Sequence, residues 1–192
     1  VKLAIVDLAY GNIGSIELAF ERLGVTPMLT AEAKEIAAAD RVVLPGVGAA
    51  GHAIKRIGQL GLGDCLRSLT QPALGICLGM QLLFDRSEED GAECLGIVPG
   101  EVRALKPAAG MPVPHMGWSK LEVFATDLGI RAGDYVYFAH GYAADSSTAT
   151  VASADYGREI PAVVRRGNWV GAQFHPERSG EAGARFLKAF LQ

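Results

Sequence analysis

The sequence predicts an α/β fold in which an open, mostly parallel central sheet is flanked by helices, with additional antiparallel strands in the C-terminal half. Three observations carry this reading. Short, continuously apolar runs at residues 3–7, 42–44 and 73–76 each end at a glycine, a proline or a small-residue turn, as parallel strands covered on both faces do. Segments of helical period lie between them, so strand and helix alternate as in βαβ units. From about Glu101 onward the segments become shorter and alternate in polarity, which marks antiparallel pairing.

Taken in order, Leu3-Ala-Ile-Val-Asp7 forms the first strand. Ile16, Ala19, Phe20 and Leu23 then fall at i, i+3, i+4 and i+7, the apolar stripe of a helix closed by Gly24. Residues 31–39 are rich in helix formers and lead into the strands Val42–Leu44 and Ala73–Ile76. In open sheets of this kind ligands bind beyond the carboxyl ends of the strands, so the loops after Asp7, Pro45 and Ile76 share the edge of interest. Further on, Tyr135-Val-Tyr-Phe138 and the segment 162–172 read as strands, the latter folded into a hairpin at Gly167-Asn168. His175-Pro176-Glu177 follows that hairpin. Ser179 is expected to cap a final helix whose Gly183, Phe186, Leu187 and Phe190 share one face, with Glu181 favourably placed in its first turn. The proline-rich stretch 107–114 reads as a loop.

Composition narrows the function classes. A chain of 192 residues, 49% hydrophobic and 20% charged, supports one well-buried core, so residues 1–192 are read as one domain. A net charge of −3, with Arg165-Arg166 as the one short basic pair, gives no basis for binding nucleic acid. No apolar stretch approaches the length of a membrane span, and the start of the chain lacks the pattern of a secretory leader, so a soluble, cytoplasmic protein with no membrane partner is expected. Cys65, Cys77 and Cys94 are odd in number and widely spaced, which fits neither a disulfide framework nor a zinc ligand set. No metal and no cofactor is expected.

The chemistry concentrates at two places. Gly75-Ile-Cys77-Leu-Gly79 follows an apolar strand and precedes a helix, a turn sharp enough to hold a nucleophile clear of the sheet, with small residues allowing close approach. About half a chain later, Pro176 biases His175 toward extended backbone, so His175 and Glu177 project to the same side. Glu177 is then able to orient His175, and His175 to activate Cys77. Packing alone explains neither the flanking glycines nor an adjacent His-Pro-Glu. Leu78 starts the helix, so its N–H points to where an oxyanion forms, and the helix terminus favours thiolate over thiol. Pro45-Gly46-Val47-Gly48 is suited to expose a second backbone donor.

At these residues the chain resembles the class I (triad) glutamine amidotransferases and, within them, the glutaminase subunits of imidazole glycerol phosphate synthases. The resemblance spans nearly the whole chain. It rests on Tyr10-Gly-Asn12, Leu44-Pro-Gly-Val-Gly48, Gly75-Ile-Cys-Leu-Gly-Met-Gln-Leu-Leu-Phe84, Ser87-Glu-Glu89, Pro114-His-Met-Gly-Trp118, Phe138-Ala-His140 and Gln173-Phe-His-Pro-Glu177. The Cys and His-Pro-Glu elements point to the broad class, whereas His115-Met-Gly-Trp118 and Met80-Gln81 point to this subunit. The resemblance implies that Cys77, His175 and Glu177 form a catalytic triad hydrolysing glutamine. It further implies that Gly46, Val47 and Leu78 serve the oxyanion and that Gln81 and Glu89 hold the backbone end of glutamine. It also implies a heterodimer with a (β/α)8-barrel cyclase subunit that receives the ammonia in histidine biosynthesis, with Asn12, Trp118, Tyr137 and Arg178 at or near the partner face.

The chain departs from the family pattern in its first loop (Asp7-Leu-Ala-Tyr-Gly-Asn12), at Gly141 where Ser or Thr is usual, at Ser119 in place of a common Asn, and at Arg178 in place of Lys. Arg keeps the charge but changes reach and hydrogen-bond geometry. Three alternatives stay open at the level of sequence. One is a glutaminase serving anthranilate, aminodeoxychorismate or pyridoxal phosphate synthesis. Another is a non-catalytic regulatory subunit with the same fold, and the third a stand-alone cysteine hydrolase.

Overall fold

The computed structural model of the chain describes residues 1–9, 13–125 and 127–192. Strand β1 (Leu3–Val6) is followed by helix α1 (Ile13–Glu21), β2 (Met28–Thr30), α2 (Ala33–Ala37), β3 (Arg41–Leu44), α3 (Ala50–Gln59), α4 (Gly63–Ser68), β4 (Ala73–Ile76) and a short helix α5 (Leu78–Gln81). Then come β5 (Arg86–Ser87), β6 (Ala92–Glu93), β7 (Glu101–Ala104), β8 (His115–Lys120), β9 (Glu122–Val123), β10 (Tyr135–His140) and β11 (Tyr142–Ala144). The chain ends with β12 (Thr150–Asp155), β13 (Glu159–Arg166), β14 (Trp169–Ala172) and α6 (Gly180–Phe190).

Eight strands form one sheet in the order β2-β1-β3-β4-β14-β13-β12-β9. The pairings from β2 to β14 are parallel, and those from β14 through β13 and β12 to β9 are antiparallel. Alternation within each strand splits the apolar residues between two faces. Ala4, Val6, Val42 and Leu44 join Ile36 of α2, Ile57 of α3, Leu66 of α4 and Leu62, just before α4, on one side. Leu3, Ile5 and Val43 join Ile16 and Phe20 of α1 and Phe186 of α6 on the other. The apolar runs carry no polar alternation because both faces are covered.

Where the structure differs from expectation, the causes are local. Strand β1 ends at Val6, one residue before Asp7, which turns back to accept a hydrogen bond from Ala9 N–H at 2.7 Å. Helix α2 is only five residues long, and β2 lies before it, its three residues too few to show a period. Ser179 stands at the N-terminus of α6 but makes no capping hydrogen bond there.

Two smaller sheets sit beside the carboxyl edge. Strands β8 and β10 pair antiparallel, while β11, β7, β5 and β6 form a separate sheet. Gly141 alone separates β10 from β11, so the chain passes from one small sheet to the other within a single residue.

Candidate active site

The parallel pairing of β4 with β14 is what assembles the site. Ala172 lies opposite Ile76 in register, so the next residues, Gln173 and Cys77, leave the sheet side by side, and His175 follows two positions on. A cavity of about 310 Å³ opens at this edge, lined among others by Gly46, Val47, Cys77, Leu78, Gln81, Glu89, His140, His175 and Glu177.

Cys77 has φ 53° and ψ −109°, a strained backbone for a non-glycine residue, directly before α5. Its N–H donates to the Ala172 carbonyl at 2.7 Å, which ties the elbow to β14. The flanking glycines are sterically required. A Cβ on Gly79 would stand 1.9 Å from the Leu44 carbonyl oxygen, and one on Gly75 would stand 2.6 Å from the Gly79 carbonyl oxygen. Both contacts are far inside van der Waals distance, so side chains there would push α5 off the sheet and move the thiol.

His175 is extended, with φ −96° and ψ 98°, as the following proline favours. Its Nδ1 lies 2.8 Å from Glu177 Oε1, and its ring hydrogen-bonds Cys77. Burial pulls the imidazole down, but hydrogen bonds to Cys77 and Glu177 and the charge of both outweigh it and push the ring up to about 10. The ring is therefore an imidazolium at neutral pH. The other Glu177 oxygen, Oε2, is buried with no hydrogen-bond partner among the described residues, so its charge is spent on His175. The main chain of His175 is held as firmly: its N–H donates to the Tyr137 carbonyl at 2.9 Å, and its carbonyl accepts from Ser179 Oγ at 2.7 Å.

The loop after β3 faces the elbow. A Cβ on Gly46 would meet Gly79 N at 2.7 Å, which places this loop directly on the start of α5, and Gly48 has φ +86°. As the first residue of α5, Leu78 has no intrahelical partner for its N–H. The helix start and the loop therefore both border the cavity beside Cys77.

At the far wall, Glu89 Oε2 accepts from Ala50 N–H at 2.8 Å, and burial pushes its carboxyl up. The carboxylate that faces the cavity therefore also anchors the start of α3, immediately after the glycine loop. Gln81 is 4% exposed, and its Nε2 donates to the Tyr142 carbonyl at 2.8 Å and to Gln173 Oε1 at 3.1 Å. That leaves its Oε1 as the atom free to meet a ligand.

Three of the four residues expected near a partner lie close together on the surface. Trp118 is 54% exposed and packs edge-on to Tyr137 at 5.9 Å, and the Arg178 guanidinium covers the Tyr137 ring at 4.4 Å. Met116 and Tyr135 extend this exposed apolar surface. The fourth, Asn12, lies outside the described residues, as do Tyr10 and Gly11.

Sequence reasoning gave His140, Tyr142 and Gln173 no role of their own, and gave Ser179 only that of a helix cap. His140 and His115 form a buried pair with Nδ1 of His115 3.1 Å from Nε2 of His140. His115 Nε2 lies 2.9 Å from Ser119 Oγ, so the residue that departs from the family pattern ends this run. Burial holds both rings low, at about 4, so both are neutral at pH 7.

A family model described as Glutamine amidotransferase class-I matches residues 5–192. The chain is 50% identical to "Imidazole glycerol phosphate synthase subunit HisH" of Xanthomonas axonopodis pv. citri, a match covering 99% of this chain and 96% of that one. It is 47% identical to the protein of the same name from Xylella fastidiosa, over 100% of this chain and 97% of the relative. A solved structure described as a glutamine amidotransferase superposes with a TM-score of 0.76 at 20% identity, covering 98% of this chain and 96% of the other, a likeness of fold alone.

Proposed function

We propose, from the premise that this chain belongs to the class I glutamine amidotransferases, that it is the glutaminase subunit of an imidazole glycerol phosphate synthase. Cys77 attacks the side-chain carboxamide carbon of glutamine as the thiolate paired with the His175 imidazolium. The carbonyl oxygen gains charge against the N–H groups of Leu78 and the Gly46-Val47 loop, each such donor contributing on the order of 3–4 kcal/mol to the barrier. His175 then gives its proton to the departing nitrogen and ammonia leaves. Water, deprotonated by the same ring, cleaves the thioester to glutamate and restores the thiolate. Glu177 keeps the ring oriented throughout, Glu89 faces the α-ammonium group, and the Gln81 oxygen holds the same end of the substrate.

The observation that carries this reading is the placement of His175, held by Glu177, against the sulfur on a strained elbow, beside a glycine loop that sits on the same helix start. The acceptor of the ammonia is inferred from the relatives. Ammonia released into neutral water is protonated and loses its nucleophilic lone pair, so direct hand-over is needed. We assign that role to a (β/α)8-barrel cyclase subunit in a heterodimer, docked where Trp118, Tyr137 and Arg178 lie, with Asn12 as a further contact. Residues 1–192 are read as one amidotransferase domain. No helix among the described residues is long and apolar enough to cross a membrane, in keeping with a cytoplasmic complex.

The test is glutamate release from glutamine by the chain alone, with the barrel subunit, and with the barrel subunit plus its nucleotide ligand. Strong turnover only in the last mixture is expected. Equal rapid hydrolysis in all three overturns the coupling and favours an independent hydrolase, and Cys77→Ala retaining full activity overturns the nucleophile.

A further inference from the structure

The Cys77 sulfur has two neighbours outside the triad, the Ala139 carbonyl at 3.8 Å, which can accept only from the thiol form, and the Gln173 amide. Gln173 Nε2 lies 3.8 Å from Sγ, within reach of a hydrogen bond to sulfur, and Gln173 is fully buried. The orientation of its amide follows from a backbone atom. Gly141 offers its carbonyl to the N–H of Leu105, just past the end of β7, so the next carbonyl, that of Tyr142, faces away from that sheet. A carbonyl oxygen only accepts, so the Gln81 atom 2.8 Å from it is the nitrogen. The second hydrogen of that nitrogen faces Gln173 at 3.1 Å, so the atom receiving it is Oε1. The Gln173 nitrogen is thereby turned toward the sulfur.

The same carbonyl fixes the two buried histidines. His140 Nδ1, 2.8 Å from the Tyr142 oxygen, must carry its proton, which leaves Nε2 as acceptor. His115 Nδ1 therefore donates to it, and Ser119 Oγ donates to His115 Nε2. Stacking of the His115 ring between Phe138 at 4.7 Å and Tyr156 at 3.8 Å keeps the run in place. With both rings neutral, each group in the run is satisfied in this one arrangement.

We propose that the Gln173 amide donates to the Cys77 sulfur and stabilises it as thiolate, its orientation set by a hydrogen-bonded run through Gln81, Tyr142, His140 and His115 that ends at Ser119 on β8. Gln173 touches the reacting atom, and the other members are positioning residues that act through it. The register makes this contact unavoidable, since Gln173 and Cys77 leave adjacent parallel strands one step beyond the Ala172–Ile76 pair. The run also ends one residue from exposed Trp118, so the strand carrying the proposed docking surface is tied to the sulfur by side chains and a single carbonyl. The inference rests on Cys77 being the nucleophile, and its test needs no glutamine.

The experiment is the pH profile of iodoacetamide alkylation of Cys77 in the full chain, read at the Cys77 peptide by mass spectrometry so that Cys65 and Cys94 do not interfere. His175, Glu177, His140, Glu89 and Arg178 line the cavity around this thiol and are unchanged in the variant, so a difference isolates Gln173. In Gln173→Met, which keeps the shape and removes the donor, the midpoint is expected to rise by about one pH unit, the low end of what a hydrogen bond to a charged atom contributes. A folded Gln173→Met with an unshifted midpoint overturns the proposal. If that variant does not fold, nitrogen NMR of the unaltered chain decides. The Gln173 side-chain amide is expected to titrate with the alkylation midpoint, and His140 and His115 to be neutral with protons on Nδ1. A flat Gln173 resonance, or His140 protonated on Nε2, overturns it. A chain that passes these tests yet releases no glutamate with any partner would refute the glutaminase reading and leave this inference standing.

Discussion

Ser179 holds His175 from behind, its hydroxyl donating to the His175 carbonyl at 2.7 Å while accepting from the Tyr137 N–H at 2.9 Å. The residue read from sequence as a helix cap instead bridges β10 to the histidine turn. This follows from the main-chain bond between His175 and Tyr137, which brings β10 within reach of the hydroxyl before the helix begins. Replacing Ser179 by Ala leaves the Tyr137 N–H without its partner, while the His175 carbonyl keeps only the Arg178 N–H, at a cost of about 1–3 kcal/mol in stability. The His175 ring also loses its fixed position, so kcat for glutamine is expected to fall more than KM changes. Denaturant unfolding and steady-state kinetics of Ser179→Ala check both, and an unchanged kcat in a destabilised chain would limit Ser179 to a structural role.

Glu89 has one structural contact and one proposed substrate contact, which substitution separates. Its Oε2 receives the Ala50 N–H at the start of α3, just past the glycine loop. Gln at this position keeps an acceptor for that N–H but loses the charge proposed to face the substrate ammonium. Glu89→Gln is therefore expected to raise KM at least tenfold with kcat mostly kept, a charged hydrogen bond being worth about 1.5–3 kcal/mol. Glu89→Ala, by also releasing the loop, is expected to lower kcat as well. Identical kinetics for the two variants would show that the Ala50 contact does not position the loop.

The elbow, the His-Pro-Glu turn and the parallel strands were legible in the sequence because each rests on a local rule: apolar runs, small residues around a nucleophile, and the backbone bias before proline. What was not legible depends on register. Nothing local places Gln173 beside Cys77, or sets His115 against His140. Those contacts exist because Ala172 meets Ile76 and His115 meets His140 across paired strands. The short strand β2 and the five-residue helix α2 fell below the length at which a period can be read.

Gly79 offers a test of the elbow that does not depend on catalysis. The Leu44 carbonyl stands where a Cβ would go, 1.9 Å away, and neither a strand carbonyl nor the first turn of α5 can yield that distance without displacing the other. Overpacking of this kind usually costs about 1–3 kcal/mol where a side chain can give, and more against backbone. Gly79→Ala is expected to lose at least 3 kcal/mol in urea unfolding, and to shift the pH midpoint of Cys77 alkylation. A chain that tolerates alanine with less than about 1 kcal/mol lost would contradict this packing.

The buried histidines give the stability a defined acid limb. His115 and His140 are held by burial near 4 against an ordinary 6.5, so between those values the unfolded chain binds more protons than the folded one. Stability therefore falls as pH drops from about 6.5 toward 4 and is unaffected by these two rings above 6.5. His175 acts in the opposite sense. Raised from 6.5 to about 10, it contributes stability that is fully present below 6.5 and lost as pH rises toward 10. Each pKa unit corresponds to about 1.4 kcal/mol, so the two limbs produce a dome near neutrality rather than a monotonic profile. Carboxylates also titrate at the acid end, and His140→Gln separates the contributions. Glutamine still donates to the Tyr142 carbonyl but carries no titratable ring, so the slope of unfolding free energy between pH 6.5 and 4.5 is expected to flatten by roughly half of the histidine share. A slope identical to that of the unaltered chain, measured by urea unfolding across this range, would mean that the pair does not control acid stability.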